Sequence, residues 1–146
     1  MKAFSQINYI GDNRYLKKQY VTEVTKKILP IYWKHNMKLP GKYILDINVF
    51  DDKRIRALNK KFLGRDKVTD VIAFSLIEGK AIPEGKLPLL GQIVISKETA
   101  IRQAKHLKHT IKKEMTILLI HGILHISGWQ EGEEIRLCQE KIYNSL

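Results

Sequence analysis

An α+β fold is the class that this sequence predicts, and three observations carry it. Some runs alternate apolar and polar residues with period two, others repeat apolar residues every three or four positions, and the two kinds are interleaved along the chain, whose start reads strand, helix, strand. Together they give about four strands and about five helices. A chain of 146 residues has the commonest single-domain size and can bury a core without disulfides or a structural metal. Residues 1–146 are therefore expected to form a single domain.

Residues 3–10 and 43–50 alternate as strands do. In the second, YILDINVF, the residues Leu45, Ile47 and Val49 fall on one face and Asp46 and Asn48 on the other. Between them, from about Tyr15 to Trp33, apolar residues recur at helical spacing until Pro30 disturbs the pattern. Asp51 and Asp52 offer an N-cap for a short helix with Ile55, Leu58 and Phe62 on its apolar face. The runs DVIAFSLI (70–77) and GQIVIS (91–96) read as two more strands, joined by an irregular Gly- and Pro-containing loop, 78–90, at the sheet edge. Ser96 with Thr99 can start a helix over 97–107. A lysine-rich turn leads into a helix over 111–126, and an amphipathic helix runs from about Glu133 to Tyr143.

Charge points to the partner. There are 26 Lys and Arg against 15 Asp and Glu, a formal charge of +11, and such a field favours polyanions. Between Lys53 and Lys67 seven of fifteen residues are basic with only Asp66 opposing, and between Arg102 and Lys113 there is no acid. Either stretch can be a solvated helix face; together they suit a groove for an RNA backbone. His106 and His109 in the second stretch read as surface residues. Tyr32, Trp33 and Trp129 are candidates for stacking on bases or for filling the core. The one cysteine, Cys138, can form no internal disulfide, and no run is long and apolar enough to span a bilayer. A reducing, cytoplasmic setting with no membrane partner is the expectation, and the N-terminus does not read as a signal peptide.

The segment MTILLIHGILHI, 115–126, is apolar nearly all round and predicts a buried helix. His121 and His125 stand out on it. Residues four apart on a helix lie about 40° apart around the axis and about 6 Å along it, so both imidazoles face one point. One divalent cation would satisfy both, although each could instead be a buried histidine bonded to a carbonyl. Gly128, three residues on, can take a positive φ and fold the chain back so that residue 131 approaches the same point, or can simply be a glycine C-cap. The spacing follows H-x-x-x-H-x-x-G-x-x-H, in which three ligands leave a fourth position open. Gly122 occupies the place where H-E-x-x-H peptidases carry their glutamate base, which disfavours a peptidase.

Here the sequence resembles the YbeY family of bacterial metal-dependent endoribonucleases linked to ribosomal RNA maturation, whose signature is close to H-G-x-L-H-L-x-G-[YF]-D-H. His121-Gly122, Leu124-His125, Gly128 and Trp129 match it in register. LNKKFLGRDKVTDVIAF, 58–74, resembles a second block, roughly L-N-x-x-[YF]-R-G-x-D-x-P-T-D-V-L-S-F, and LGQIVIS, 90–96, resembles a third, L-G-D-I-x-I-S. The resemblance implies a single small mixed β-sheet packed with helices, with the metal site on the buried helix.

Four residues depart from the family pattern: Glu131 for the third histidine, Gln130 for the preceding aspartate, Leu63 for an arginine and Gln92 for an aspartate. Glutamate is an acceptable zinc ligand of suitable reach, so the implied metal set is His121, His125 and Glu131; a solvated glutamate before the last helix is the alternative. A guanidinium is the natural partner of a phosphoryl group gaining charge. With Leu63 in its place, Arg65 is the candidate substitute, or else an ordinary surface arginine. The resemblance thus implies a hydrolase in which one divalent ion, most simply Zn²⁺, acts with His121, His125 and Arg65, while Lys60, Lys61, Arg65 and Lys67 bind RNA. The expected partner is ribosomal RNA or the ribosome. The alternatives are a non-catalytic RNA- or ribosome-binding protein on the same fold and, more remotely, a metallohydrolase with another substrate.

Overall fold

The computed structural model describes residues 5–77 and 87–146. Its elements run β1 (Gln6–Gly11), α1 (Lys18–Tyr32), β2 (Ile44–Phe50), α2 (Asp52–Leu63), β3 (Val71–Ser75), β4 (Leu89–Ser96), α3 (Lys97–Leu107), α4 (Ile111–Ile126) and α5 (Glu133–Ser145). The strands form one sheet in the order β1-β2-β4-β3. β1 and β4 each pair parallel to β2, and β3 adds antiparallel to β4 at the edge, which makes the sheet mixed as expected. The proposed start of the first strand and most of the 78–90 loop fall outside the described residues.

The alternation in β2 places Leu45, Ile47 and Val49 in the main core. There they join Ile93 and Ile95 of β4, Val21, Val24 and Ile28 of α1, and the apolar body of α4. Asn48 is also buried rather than on a solvated face, because the second side of the sheet is partly covered. On that side α2 packs Ile55 against Ile72 and Val94, with Phe50, Leu58 and Phe74 around them. The expected apolar face of α2 is corrected at one position. Phe62 is 56% exposed, set edge-on to Phe74, while Asn59 is buried, since Asn59 is four residues after Ile55 and so shares its inward stripe. Pro30 does not end α1, which continues to Tyr32. Proline in a last turn removes only one hydrogen bond of the helix.

Side-chain caps fix the starts of α2, α3 and α4. Asp51 accepts from the Arg54 amide, Ser96 from Thr99 and Thr110 from Lys113, each cap contributing about 0.5–2 kcal/mol. α4 is the central helix and packs against both β3 and β4 and against α1, α3 and α5. This explains why its sequence shows no polar stripe. Gly122 lies where α4 meets the sheet: a Cβ there would stand 2.6 Å from Ile93 Cγ2. The position where a peptidase carries glutamate therefore faces the core and not the histidines. His109 is half-buried rather than on the surface, because its Nε2 lies 3.1 Å from the carboxylate of buried Glu114 one turn into α4.

Candidate metal centre

His121 and His125 leave the same side of α4 with their Nε2 atoms 3.0 Å apart. After Ile126 the chain turns sharply. Trp129 N donates to Leu124 O at 3.0 Å and Gly128 N to His125 O at 3.0 Å, the paired bonds of a Schellman ending, with Gly128 at φ +102°. The reversal brings Glu131 Oε1 to 2.7 Å from His121 Nε2 and 2.6 Å from His125 Nε2.

Three ligand atoms thus form a triangle with edges of 2.6, 2.7 and 3.0 Å. One point lies within metal–ligand reach, about 2.0–2.2 Å, of all three. Neutral imidazoles alone do not satisfy this arrangement. Gln139 Oε1 lies 2.7 Å from His121 Nδ1, and an amide oxygen only accepts, so Nδ1 carries the proton and the neutral ring has a lone pair at Nε2. That lone pair faces a carboxylate oxygen. With both rings neutral, a proton on His125 Nε2 can bridge to either neighbour but cannot relieve the 2.7 Å contact between the other two. A cation can, and the donor set of two imidazoles and a carboxylate fits one. Burial works against the Glu131 carboxylate, but the His125 and His121 rings beside it outweigh it and hold its pKa below the usual value. The imidazoles are half-buried rather than buried like the helix around them, their side chains 16% and 23% exposed.

These three residues line part of a cavity of about 350 Å³, and Asn59, Leu63, Arg65, Lys67 and Asp70 wall another part of it. α2 builds that wall. It ends at Gly64 (φ 68°), with Gly64 N bonded to Lys60 O and Arg65 N to Asn59 O. Buried Asn59 then donates from Nδ2 to Lys67 O at 2.9 Å and pins the loop that carries Arg65 and Lys67. Asp70 accepts from the Val71 amide at 2.8 Å and from Gln103 at 3.3 Å, which anchors the far end of the loop.

Of the residues singled out in sequence, His121, His125, Glu131, Arg65 and Lys67 meet around one space. Lys60 and Lys61 are exposed on α2 outside the cavity wall. Trp129 does not reach the cavity. Its Nε1 donates to Tyr32 O, its ring packs on Tyr32, and Lys34 Nζ lies 4.0 Å from the ring centroid. The turn that brings residue 131 inward sends residue 129 toward the end of α1. Sequence reasoning missed Asn59 and Gln139. A polar residue on the inward stripe of an amphipathic helix is the signal that marks both.

A family model described as "Endoribonuclease YbeY" matches residues 6–144. The chain belongs to the YbeY family. Similar YbeY proteins include the "Endoribonuclease YbeY" of Alkaliphilus metalliredigens, 37% identical over 93 residues, 63% of this chain and 60% of that protein. That of Malacoplasma penetrans is 30% identical over 128 residues, 88% of this chain and 82% of that protein. The chain spans 60–63% of the length of the first three curated YbeY relatives that it matches. The fold is also that of the solution structure of TM1509 from Thermotoga maritima, with a TM-score of 0.60 at 22% identity, covering 97% of this chain and 87% of the other. Among the described residues no helix is long and apolar enough to cross a membrane.

Proposed function

We propose that this chain is a metal-dependent endoribonuclease acting on single-stranded or ribosomal RNA, in rRNA maturation or ribosome quality control. The observation that carries the reading is the convergence of His121, His125 and Glu131 on one point in a cavity that Arg65 and Lys67 also line. Family membership supports the reaction class, and the charge of +11 supports a polyanionic substrate.

In this reading His121 and His125 through Nε2 and Glu131 through Oε1 would hold one divalent ion, and the nitrogen-rich donor set favours zinc. When bound, the ion supplies Lewis acidity toward water and a phosphodiester. Arg65 and Lys67 hold the phosphate from another part of the cavity. Arg65 provides the planar donors that Leu63, half-exposed on the same wall, lacks. Lys60 and Lys61 extend the positive track along α2 for flanking phosphates. Glu131 makes the ligand set one charge more negative than three neutral histidines, which would make an ion held there a weaker Lewis acid than one held by three histidines. Cleavage is accordingly slow.

The test is metal analysis of tag-free protein combined with RNA binding and cleavage. About one divalent ion per chain is expected, retained by neither His121→Ala nor His125→Ala. RNA binding should weaken steeply with salt, with a slope near 0.7 per phosphate contact for single strands, and should persist in His121→Ala while cleavage disappears. Arg65→Ala should cut cleavage strongly. Metal-replete protein that binds RNA yet cleaves no faster than His121→Ala would overturn the enzyme reading in favour of a non-catalytic RNA- or ribosome-binding protein.

A further inference from the structure

α5 faces α4 through a stripe in which Ile135 and Ile142 are buried. Gln139 is four residues after the first and three before the second, so it shares this inward stripe, where an apolar residue would pack best. Its side chain instead meets His121: Gln139 Oε1 lies 2.7 Å from Nδ1, on the ring edge opposite the Nε2 that faces His125 and Glu131. An amide oxygen has no proton to give, so with Oε1 turned to the ring the contact is made by the tautomer with the proton on Nδ1. It also fixes the rotation of the ring about its bond to Cβ. Both effects put a lone pair at the convergence point.

We infer that Gln139 is a positioning residue, which holds His121 in the tautomer and orientation that make its Nε2 a ligand. The inference rests on the metal reading above and names the residue that prepares the site before an ion arrives. A polar residue that merely edges the cleft between α4 and α5 would leave the imidazole unchanged when replaced. Outer-shell partners of this kind are typically worth about 10–100-fold in metal affinity.

The experiment compares wild type, Gln139→Met and Gln139→Glu. Methionine has a similar length and helix preference but no comparable acceptor, whereas glutamate keeps one. Imidazole ¹⁵N spectra of the metal-free proteins report the His121 tautomer directly, and chelator competition gives Zn²⁺ affinity. The expected result is Nδ1–H in wild type and Gln139→Glu, and a population of Nε2–H in Gln139→Met. Zinc affinity should be about 10–100-fold weaker in Gln139→Met and as tight as wild type or tighter in Gln139→Glu. An unchanged tautomer in Gln139→Met overturns the inference whatever the affinity, as does a shifted tautomer with unchanged affinity. Failure of wild type itself to bind zinc or another divalent ion overturns the metal reading instead, and the spectra still decide whether Gln139 sets the ring.

Discussion

Replacing Gly128 with alanine puts a number on the turn that delivers Glu131. At φ +102° the backbone is in a region that L side chains rarely adopt, and holding a non-glycine residue in such a conformation costs about 1–3 kcal/mol. The added Cβ would also stand 3.3 Å from His35 Cε1 and 3.4 Å from its Nδ1, a tight contact that a small ring displacement relieves, so backbone strain dominates. The strain can surface in two places. If the turn keeps its shape without metal, the metal-free variant unfolds with about 1–3 kcal/mol less stability and its zinc affinity is unchanged. If the turn relaxes, metal-free stability is spared and the strain returns on binding, weakening zinc about 5–150-fold. The zinc-saturated protein loses the same free energy either way, because its turn is closed in both cases. Denaturant unfolding with and without saturating Zn²⁺, alongside chelator competition, measures all three quantities. Variant and wild type agreeing within about 0.5 kcal/mol in both unfolding series, the range of an inert surface substitution, would refute the reasoning.

Further outcomes follow from the same structure. Glu131→Gln should weaken zinc binding markedly, because it removes the anionic oxygen while keeping the shape, and Glu131→His should retain or improve it; metal titration of the two variants decides whether Glu131 is a ligand. Gly122→Ala should lower stability in thermal or denaturant unfolding, since overpacking against Ile93 costs about 1–3 kcal/mol and exceeds or offsets the helix-propensity gain of about 1 kcal/mol, while leaving RNA affinity unchanged. Arg14, hydrogen-bonded to Asp12 with help from Lys97, holds the Asp12 carboxyl well below the usual carboxylate range. A depressed folded-state pKa means that the unfolded chain binds the extra proton, so this stabilisation is complete above about pH 4 and is lost as the pH falls toward the folded-state value. Asp12→Asn should therefore flatten the acid limb of a stability-versus-pH curve.

Periodicity identified the elements whose environment is one-sided. β2 alternates because one face meets the main core, and α3 and α4 begin where Ser96 and Thr110 cap them. The candidate metal centre was legible because its three residues lie within eleven positions, two of them one helical turn apart and the third just past the turn that ends the helix. Contacts distant in sequence were not. Nothing near Trp129 tells that its indole is claimed by Tyr32, 97 positions away, or that Gln139 on another helix meets His121. The burial of Asn48 and Asn59 was not legible for a related reason: polarity argues for exposure until a partner or a covering element is known, and Asn59 has the Lys67 carbonyl. Lys60 and Lys61 were grouped with Arg65 by sequence proximity, but the chain reverses at Gly64 and separates the lysines from the cavity wall.

The end of α4 is fastened by a segment far earlier in the chain. Lys34 N donates to Ser127 O at 2.7 Å, His35 Nε2 lies 2.7 Å from Ile126 O, and Trp129 Nε1 donates to Tyr32 O at 2.9 Å. The carbonyls a helix normally leaves to solvent are thus taken by residues more than ninety positions upstream. Closing so long a loop carries an entropy cost that adjacent contacts must offset, so the ligand-bearing turn and the docking of the end of α1 form one cooperative unit. Local opening at Tyr32–His35 and at Ser127–Trp129 should occur together, and amide hydrogen exchange should register it as a single opening event, slowed in both segments when zinc is added. A substitution at the end of α1, remote from the imidazoles in sequence, would then loosen the grip on the ion as a change in opening frequency rather than in ligand chemistry.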